Sequence, residues 1–255
     1  MNNKPLLSLA HVSKHFGGVR AVHDMSLEIE PGRIVGIIGP NGSGKTTLFN
    51  LICGLYQPQG AIAFEGARID GLAPHRILAR RIARTFQNIR LFEEMLVIEN
   101  LLVGMHVDLR ASLLAACFKS KSFLAEERRA RDESMELMKF FPELTGMEFE
   151  IARNLSYANR RRVEILRAMA SRPKLLLLDE PAAGMNTSEA QKLLKDIQRI
   201  RELGVTVLII EHNMSVMADV TDRVVAMDQG EKVAEGTFEE VSRDPRVLAS
   251  YLGSE

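Results

Sequence analysis

Apolar and polar residues alternate twice near the start of the chain, at positions 6–11 and again at 25–29, where Met25, Leu27 and Ile29 share one side. A period of two marks a strand buried on one face. Between these strands, Lys14-His15-Phe16-Gly17-Gly18 reads as a turn carrying one exposed aromatic, and Pro31-Gly32 makes the next turn. The run Ile34-Val35-Gly36-Ile37-Ile38 has no polar member and passes through a glycine-rich stretch into Leu48-Phe49-Asn50-Leu51-Ile52. Positions 61–64 predict a short strand, and 74–81 a helix with proline at its start. From Gln87 to about Ala170 the pattern is mainly helical; 125–141 is rich in charge and helix formers, with Pro142 as a stop. Strand pattern returns in Lys174-Leu175-Leu176-Leu177-Leu178, continuously apolar as in strands buried on both faces. Ala190, Leu193, Leu194, Ile197 and Ile200 then follow helical spacing. A β-branched strand at 205–210, a strand pair at 224–227 and 232–234, and short helices at 238–242 and 247–252 complete the chain. Strand–helix alternation on both sides of a helical stretch predicts an α/β core with a mainly parallel sheet, 1–86 and 172–255, and an inserted helical subdomain, 87–171.

Composition narrows the field. Lys plus Arg equal Asp plus Glu at 33 each, so no net charge draws the chain to nucleic acid. Cys53 and Cys117 form no paired motif, a usage that fits a reducing cytoplasm. The N-terminus lacks signal-peptide architecture, and no apolar run approaches the roughly 20 residues of a membrane span; the stretch 111–118 is far too short. Work at a membrane would require docking on something that spans it.

The chemistry is concentrated in Gly39-Pro40-Asn41-Gly42-Ser43-Gly44-Lys45-Thr46-Thr47. This G-x-x-x-x-G-K-[ST] pattern lies between a predicted strand and a predicted helix, the context of a phosphate-binding loop. Gly39, Gly42 and Gly44 permit unusual backbone angles and keep Cβ atoms out of a phosphate's way. The helix start adds its positive end. Lys45 would reach the β- and γ-phosphates and the Thr46 hydroxyl would ligate Mg²⁺. A merely structural turn would not need all these positions in this order.

Other stations are less specific alone. Asp179-Glu180 closes the four-leucine strand, at the sheet edge where ligands bind in open α/β folds. Asp179 is placed to hold Mg²⁺ directly or through water, and Glu180 to polarise an attacking water. Strand 205–210 ends in Glu211-His212; His212 is either an ordinary strand-end histidine or a γ-phosphate contact. Gln87, where core passes to insert, is either an ordinary glutamine or a contact to Mg²⁺ or its water. Ser156 reads as an N-cap, and the same helix end would also make a second phosphate site.

In this order the phosphate loop, Gln87, Leu155-Ser156, Asp179-Glu180 and His212 resemble the ATP-binding subunit of ABC transporters over essentially the whole chain. Arg84-Thr85-Phe86-Gln87-Asn88-Ile89-Arg90-Leu91-Phe92, Val97-Ile98-Glu99-Asn100-Leu101-Leu102, Asp179-Glu180-Pro181-Ala182-Ala183-Gly184-Met185-Asn186 and Tyr251-Leu252-Gly253 are similar to the branched-chain amino acid importer ATPases. The resemblance implies a single ABC ATPase domain with an additional antiparallel β subdomain. It implies ATP and Mg²⁺ as cofactors, stacking of adenine on Phe16, and Gln87 as the link from Mg²⁺ to a permease. Leu155-Ser156-Tyr157-Ala158-Asn159 would be the signature that closes on ATP held by a second ATPase subunit, identical or related. Asp179, Glu180 and His212 would be the metal, general-base and switch residues. Implied partners are integral membrane permease subunits and, indirectly, an external solute-binding protein, with the chain on the cytoplasmic face of the cell membrane. Ala158 stands where the family usually has glycine and Asn159 where it has glutamine, and both departures are expected to slow the site this signature completes. Asn186 replaces a frequent aspartate. Two other functions fit the motifs: an export-type ATPase moving lipopolysaccharide-like cargo, and a nucleotide-gated assembly module with weak turnover.

Overall fold

The computed structural model describes residues 4–108, 120–211 and 214–252. The chain divides into two compact units, Met1–Arg84 with Lys174–Glu255, and Thr85–Pro173. The division anticipated at 87 and 171 lies just inside these limits.

The first unit holds two sheets. One is antiparallel, in the order β2-β1-β4-β5, from β1 (Leu7–Phe16), β2 (Val19–Ile29), β4 (Gln59–Phe64) and β5 (Ala67–Arg68). The other has the order β10-β9-β3-β8-β7-β6, from β3 (Ile34–Ile38), β6 (Ile82–Arg84), β7 (Leu175–Asp179), β8 (Thr206–Ile210), β9 (Arg223–Asp228) and β10 (Glu231–Gly236). Its pairings are parallel except for β10 against β9. Every residue of β3, β7 and β8 is buried, which is why these strands, apart from Thr206 and the terminal Asp179, run without polar residues rather than alternating. Each such Leu or Ile contributes roughly 1.5–3 kcal/mol of burial.

The turn expected over residues 14–18 needs correction. Lys14, His15 and Phe16 belong to β1, and the turn is only Gly17-Gly18. The β1–β2 ladder shifts register between Leu9 and Val12 and twice more before His15; bulges put side-chain alternation out of phase, so the pattern stopped short. The three-residue β6 was not anticipated, being too short to show periodicity.

After the phosphate loop, α1 (Lys45–Ile52) buries Leu48, Phe49, Leu51 and Ile52, and α2 (Pro74–Ala79) starts on its proline. The second unit contains α3 (Val97–Gly104), α4 (Lys121–Met138) and α5 (Tyr157–Ala170). A Cβ on Gly104 would lie 2.2 Å from the Arg167 carbonyl, so this glycine lets α3 approach α5 closely. Helix α4 begins earlier than 125, because Ser120 caps it by accepting from the Phe123 N–H. Pro142 does not end that helix; it opens a separate 3-10 turn, Pro142–Leu144. Cys117 and the apolar stretch 111–118 lie outside the described residues.

Back in the first unit, α6 (Thr187–Glu202) is capped reciprocally by Asn186 and Glu189. It precedes α7 (Met214–Val220), α8 (Phe238–Ser242) and α9 (Pro245–Leu252). Among the described residues, no helix is long and apolar enough to cross a membrane.

Candidate functional site

Strand β3 delivers the chain into the loop at Gly39, and the three glycines have φ of 147°, 82° and 100° at Gly39, Gly42 and Gly44. They are not equivalent. A Cβ on Gly39 would sit 2.1 Å from the Met227 carbonyl oxygen, and one on Gly44 2.1 Å from that of Ala21. Nothing lies within 4 Å of a Cβ on Gly42; there only the backbone conformation calls for glycine. The Gly230 N–H donates to the Ser43 carbonyl at 3.1 Å, fixing the loop against the β9–β10 turn. Helix α1 has no side-chain cap, so its first amides are available to an anion. Lys45 is buried, its ammonium donating to the carbonyls of Gly39 at 2.7 Å and Pro40 at 2.8 Å. Burial lowers its pKa, while the charges of Glu180 and Asp179 pull it back up. Ser43 is buried, Pro40 and Thr47 half-buried, and Asn41 and Thr46 exposed.

Asp179 is the last residue of β7, paired with Ile210 of β8, and is 1% exposed. Its Oδ2 accepts from Nη2 of Arg84 at 2.7 Å. The same guanidinium donates to Asn50 Oδ1 at 2.5 Å and lies 5.5 Å from the Phe49 ring centre. Glu180 takes a left-handed backbone, φ 48°, and its N–H donates to the Ile210 carbonyl at 2.9 Å. A non-glycine residue held there stores about 1–3 kcal/mol of strain, a frequent property of reactive sites. Glu211 is buried and accepts from the Ala182 N–H at 2.8 Å. His212 lies outside the described residues.

Phe16 is 42% exposed and meets Tyr56 edge-on, ring centres 5.0 Å apart. The Lys14 ammonium lies 5.3 Å from the Phe16 ring centre and donates to the Gln57 carbonyl. On α9, burial raises the Tyr251 pKa, opposed by a hydrogen bond from the Gly39 backbone. The sequence marked Phe16 alone, and nothing local linked it to Tyr56. Arg84, Asn50 and Glu211 were likewise missed, since their partners, Asp179 for Arg84, Arg84 for Asn50 and Ala182 for Glu211, lie far away in sequence.

The remaining candidates belong to the second unit. Gln87 has an exposed side chain, and its carbonyl accepts from Arg161 Nη2 at 2.8 Å. Ser156 caps α5, accepting from the Asn159 N–H at 3.3 Å. Ala158 is helical, with no positive φ, and is 4% exposed. An alanine is therefore held at this position without left-handed strain. The Asn159 side chain accepts from Arg162 Nη1 at 3.0 Å and donates to Met147 Sδ at 3.5 Å.

The donor set suits a nucleotide. Helix α1 starts without a side-chain cap, and its first residue is a cation in the field of two carboxylates. Among the described residues no cluster of three or more His, Cys, Asp or Glu could hold a metal alone. One hydroxyl and one carboxylate fit Mg²⁺, which keeps waters and takes phosphate oxygens.

Known proteins resemble this chain in sequence and fold. The ABC transporter family model matches residues 22–183, and a second model, branched-chain amino acid ATP-binding cassette transporter, matches 231–255. The chain is 43% identical to the high-affinity branched-chain amino acid transport ATP-binding protein BraF of Pseudomonas aeruginosa, covering 98% of this chain and 99% of that one. It is 41% identical to the LivG protein of Escherichia coli, which bears the same description, again covering 98% and 99%. Among solved structures, the ADP conformation of an ATP-binding cassette of an ABC transporter is 32% identical, with a TM-score of 0.85 over 98% of this chain and 99% of that one. A nucleotide-free cassette, also 32% identical, gives a TM-score of 0.84 over 97% and 98%. With a full-length match in sequence and fold and the phosphate loop in place, the chain belongs to the ATP-binding subunits of ABC transporters, a family of P-loop ATPases.

Proposed function

We propose that this chain binds ATP with Mg²⁺ on the cytoplasmic face of a cell membrane and hydrolyses it to drive import of branched-chain or related amino acids. The observation that carries the catalytic part is the buried Lys45 within the field of both Asp179 and Glu180. Loop amides of residues 39–47 and the Lys45 ammonium hold the β- and γ-phosphates, Lys45 exchanging its contacts to the Gly39 and Pro40 carbonyls for phosphate oxygens. Phe16, with Tyr56 against it, offers a face to adenine. Thr46 and Asp179 hold Mg²⁺, which supplies charge neutralisation on the phosphates. Glu180 takes the proton of the attacking water. Gln87 contacts the metal shell and His212 the γ-phosphate. Ser156, Ala158 and Asn159 face nucleotide on a second ATPase subunit, a copy or a relative, and Thr85–Pro173 meets permease helices. An external binding protein delivers solute.

The descriptions of BraF and LivG and the match at 231–255 support the amino-acid cargo. Uptake of labelled leucine, isoleucine and valine in cells lacking this gene tests it. Restoration by the native gene and not by Glu180→Gln is expected; uptake unchanged by the deletion would overturn the cargo. In the purified assembly, Glu180→Gln should keep ATP binding and lose hydrolysis by about 10²–10⁴-fold, and native turnover in that variant would overturn the base.

A further inference from the structure

Arg84 joins the end of β7 to the body of α1 through one charge. Its side chain is 6% exposed and that of its partner Asp179 1%. It binds Asp179, Asn50 and the Phe49 ring face together. Its charge also reaches Cys53, one turn further along. An arginine cannot shed its proton to escape such a place, so this positive charge is permanent. Any cation that uses Asp179 must share the carboxylate with it.

We infer that Arg84 is a positioning residue that acts as a built-in counter-cation to Asp179, orienting the carboxylate without metal and limiting how strongly Mg²⁺ tightens nucleotide binding. The inference rests on Asp179 serving the metal. The pair Arg84–Asp179 is neutral, so the end of β7 does not repel an incoming polyphosphate. A divalent ion arriving there gains only part of the attraction a lone carboxylate would give. Metal and ADP consequently leave more readily than from a site with an uncompensated aspartate.

The test measures affinity of the purified full-length chain for a fluorescent methylanthraniloyl-ADP, with and without Mg²⁺. The readout is the factor by which Mg²⁺ tightens binding, not turnover. Arg84→Met should raise that factor by about tenfold, and Arg84→Lys, which restores charge without the double contact, should bring it back toward native. Equal factors in native and Arg84→Met chains, whatever their thermal stability, would overturn the inference and leave Arg84 a packing element. If Arg84→Met does not fold, Asp179→Asn is compared with the double variant Arg84→Met/Asp179→Asn, in which no buried charge is orphaned. Without metal, the single variant should bind the ADP analogue about tenfold tighter, because its guanidinium has no carboxylate to neutralise it; equal affinities would overturn the inference. A native chain whose ADP affinity ignores Mg²⁺ would instead remove Asp179 from the metal, and the inference with it.

Discussion

Arg161 and Glu164 form an ion pair at 2.7 Å in which neither side chain is more than 1% exposed. Both lie on α5, the helix that Ser156 caps. The pair also grips backbone. Arg161 donates to the carbonyls of Phe86 at 2.7 Å and Gln87 at 2.8 Å, while Glu164 accepts from the Arg90 N–H at 3.2 Å. Within the second unit, the segment around Gln87 is thus fastened to the helix that Ser156 caps.

Breaking this pair leaves the buried Arg161 charge without its counter-ion, held only by neutral acceptors, so Glu164→Ala should destabilise the chain by about 3–5 kcal/mol. Arg161→Met combined with Glu164→Leu should cost clearly less, because no charge is orphaned. Denaturant unfolding of the three chains checks the order; a double variant as unstable as the single would show that the backbone contacts dominate.

Substituting the loop glycines separates conformation from space. Gly42→Ala meets no neighbour and should cost only the left-handed backbone, about 1–2 kcal/mol. Gly44→Ala adds a collision with the Ala21 carbonyl and should cost about 2–6 kcal/mol, with loss of ATP binding. Thermal unfolding and nucleotide binding distinguish the two.

Ala158→Gly removes a buried methyl from a helical position. It should lower stability by about 1 kcal/mol without raising turnover of the assembled transporter. A faster Ala158→Gly complex would show that the methyl obstructs the opposed nucleotide, as the sequence comparison with the family suggested.

Burial pushes the Cys53 thiol up to about 11, against the pull of the Arg84 charge. Its pKa is raised, so the neutral thiol persists below about pH 11 in the folded chain and only unfolding restores ordinary thiolate. Iodoacetamide at pH 8 should therefore label Cys53 slowly until denaturant is added, followed by peptide mass spectrometry. Rapid labelling of the folded chain would contradict the burial.

The phosphate loop was legible because its determinants are local: an apolar strand, glycines at fixed intervals and a helix start lie within residues 34–52. Asp179 and Glu180 were legible for a similar reason, a carboxylate pair closing an apolar strand. Family resemblance supplied Phe16, Gln87 and the signature, whose residue types alone are ordinary. Lys14 and Phe16 were misplaced into a turn because register shifts erased the alternation that betrays a strand.

Sequence by itself determined the strand–loop–helix at Gly39 to Thr47, the α/β order and the phosphate-directed chemistry of the loop, since each follows from neighbours in the chain, and resemblance to a family added the ATP. Only the tertiary structure decided that Asp179 is held by Arg84, 95 residues away in sequence, that Gly39 and Gly44 face the carbonyls of Met227 and Ala21, and that Ala158 is unstrained. These depend on which strands pair and how closely backbones approach, and burial sets their energies. No local pattern encodes a partner that the fold brings from a strand distant in sequence.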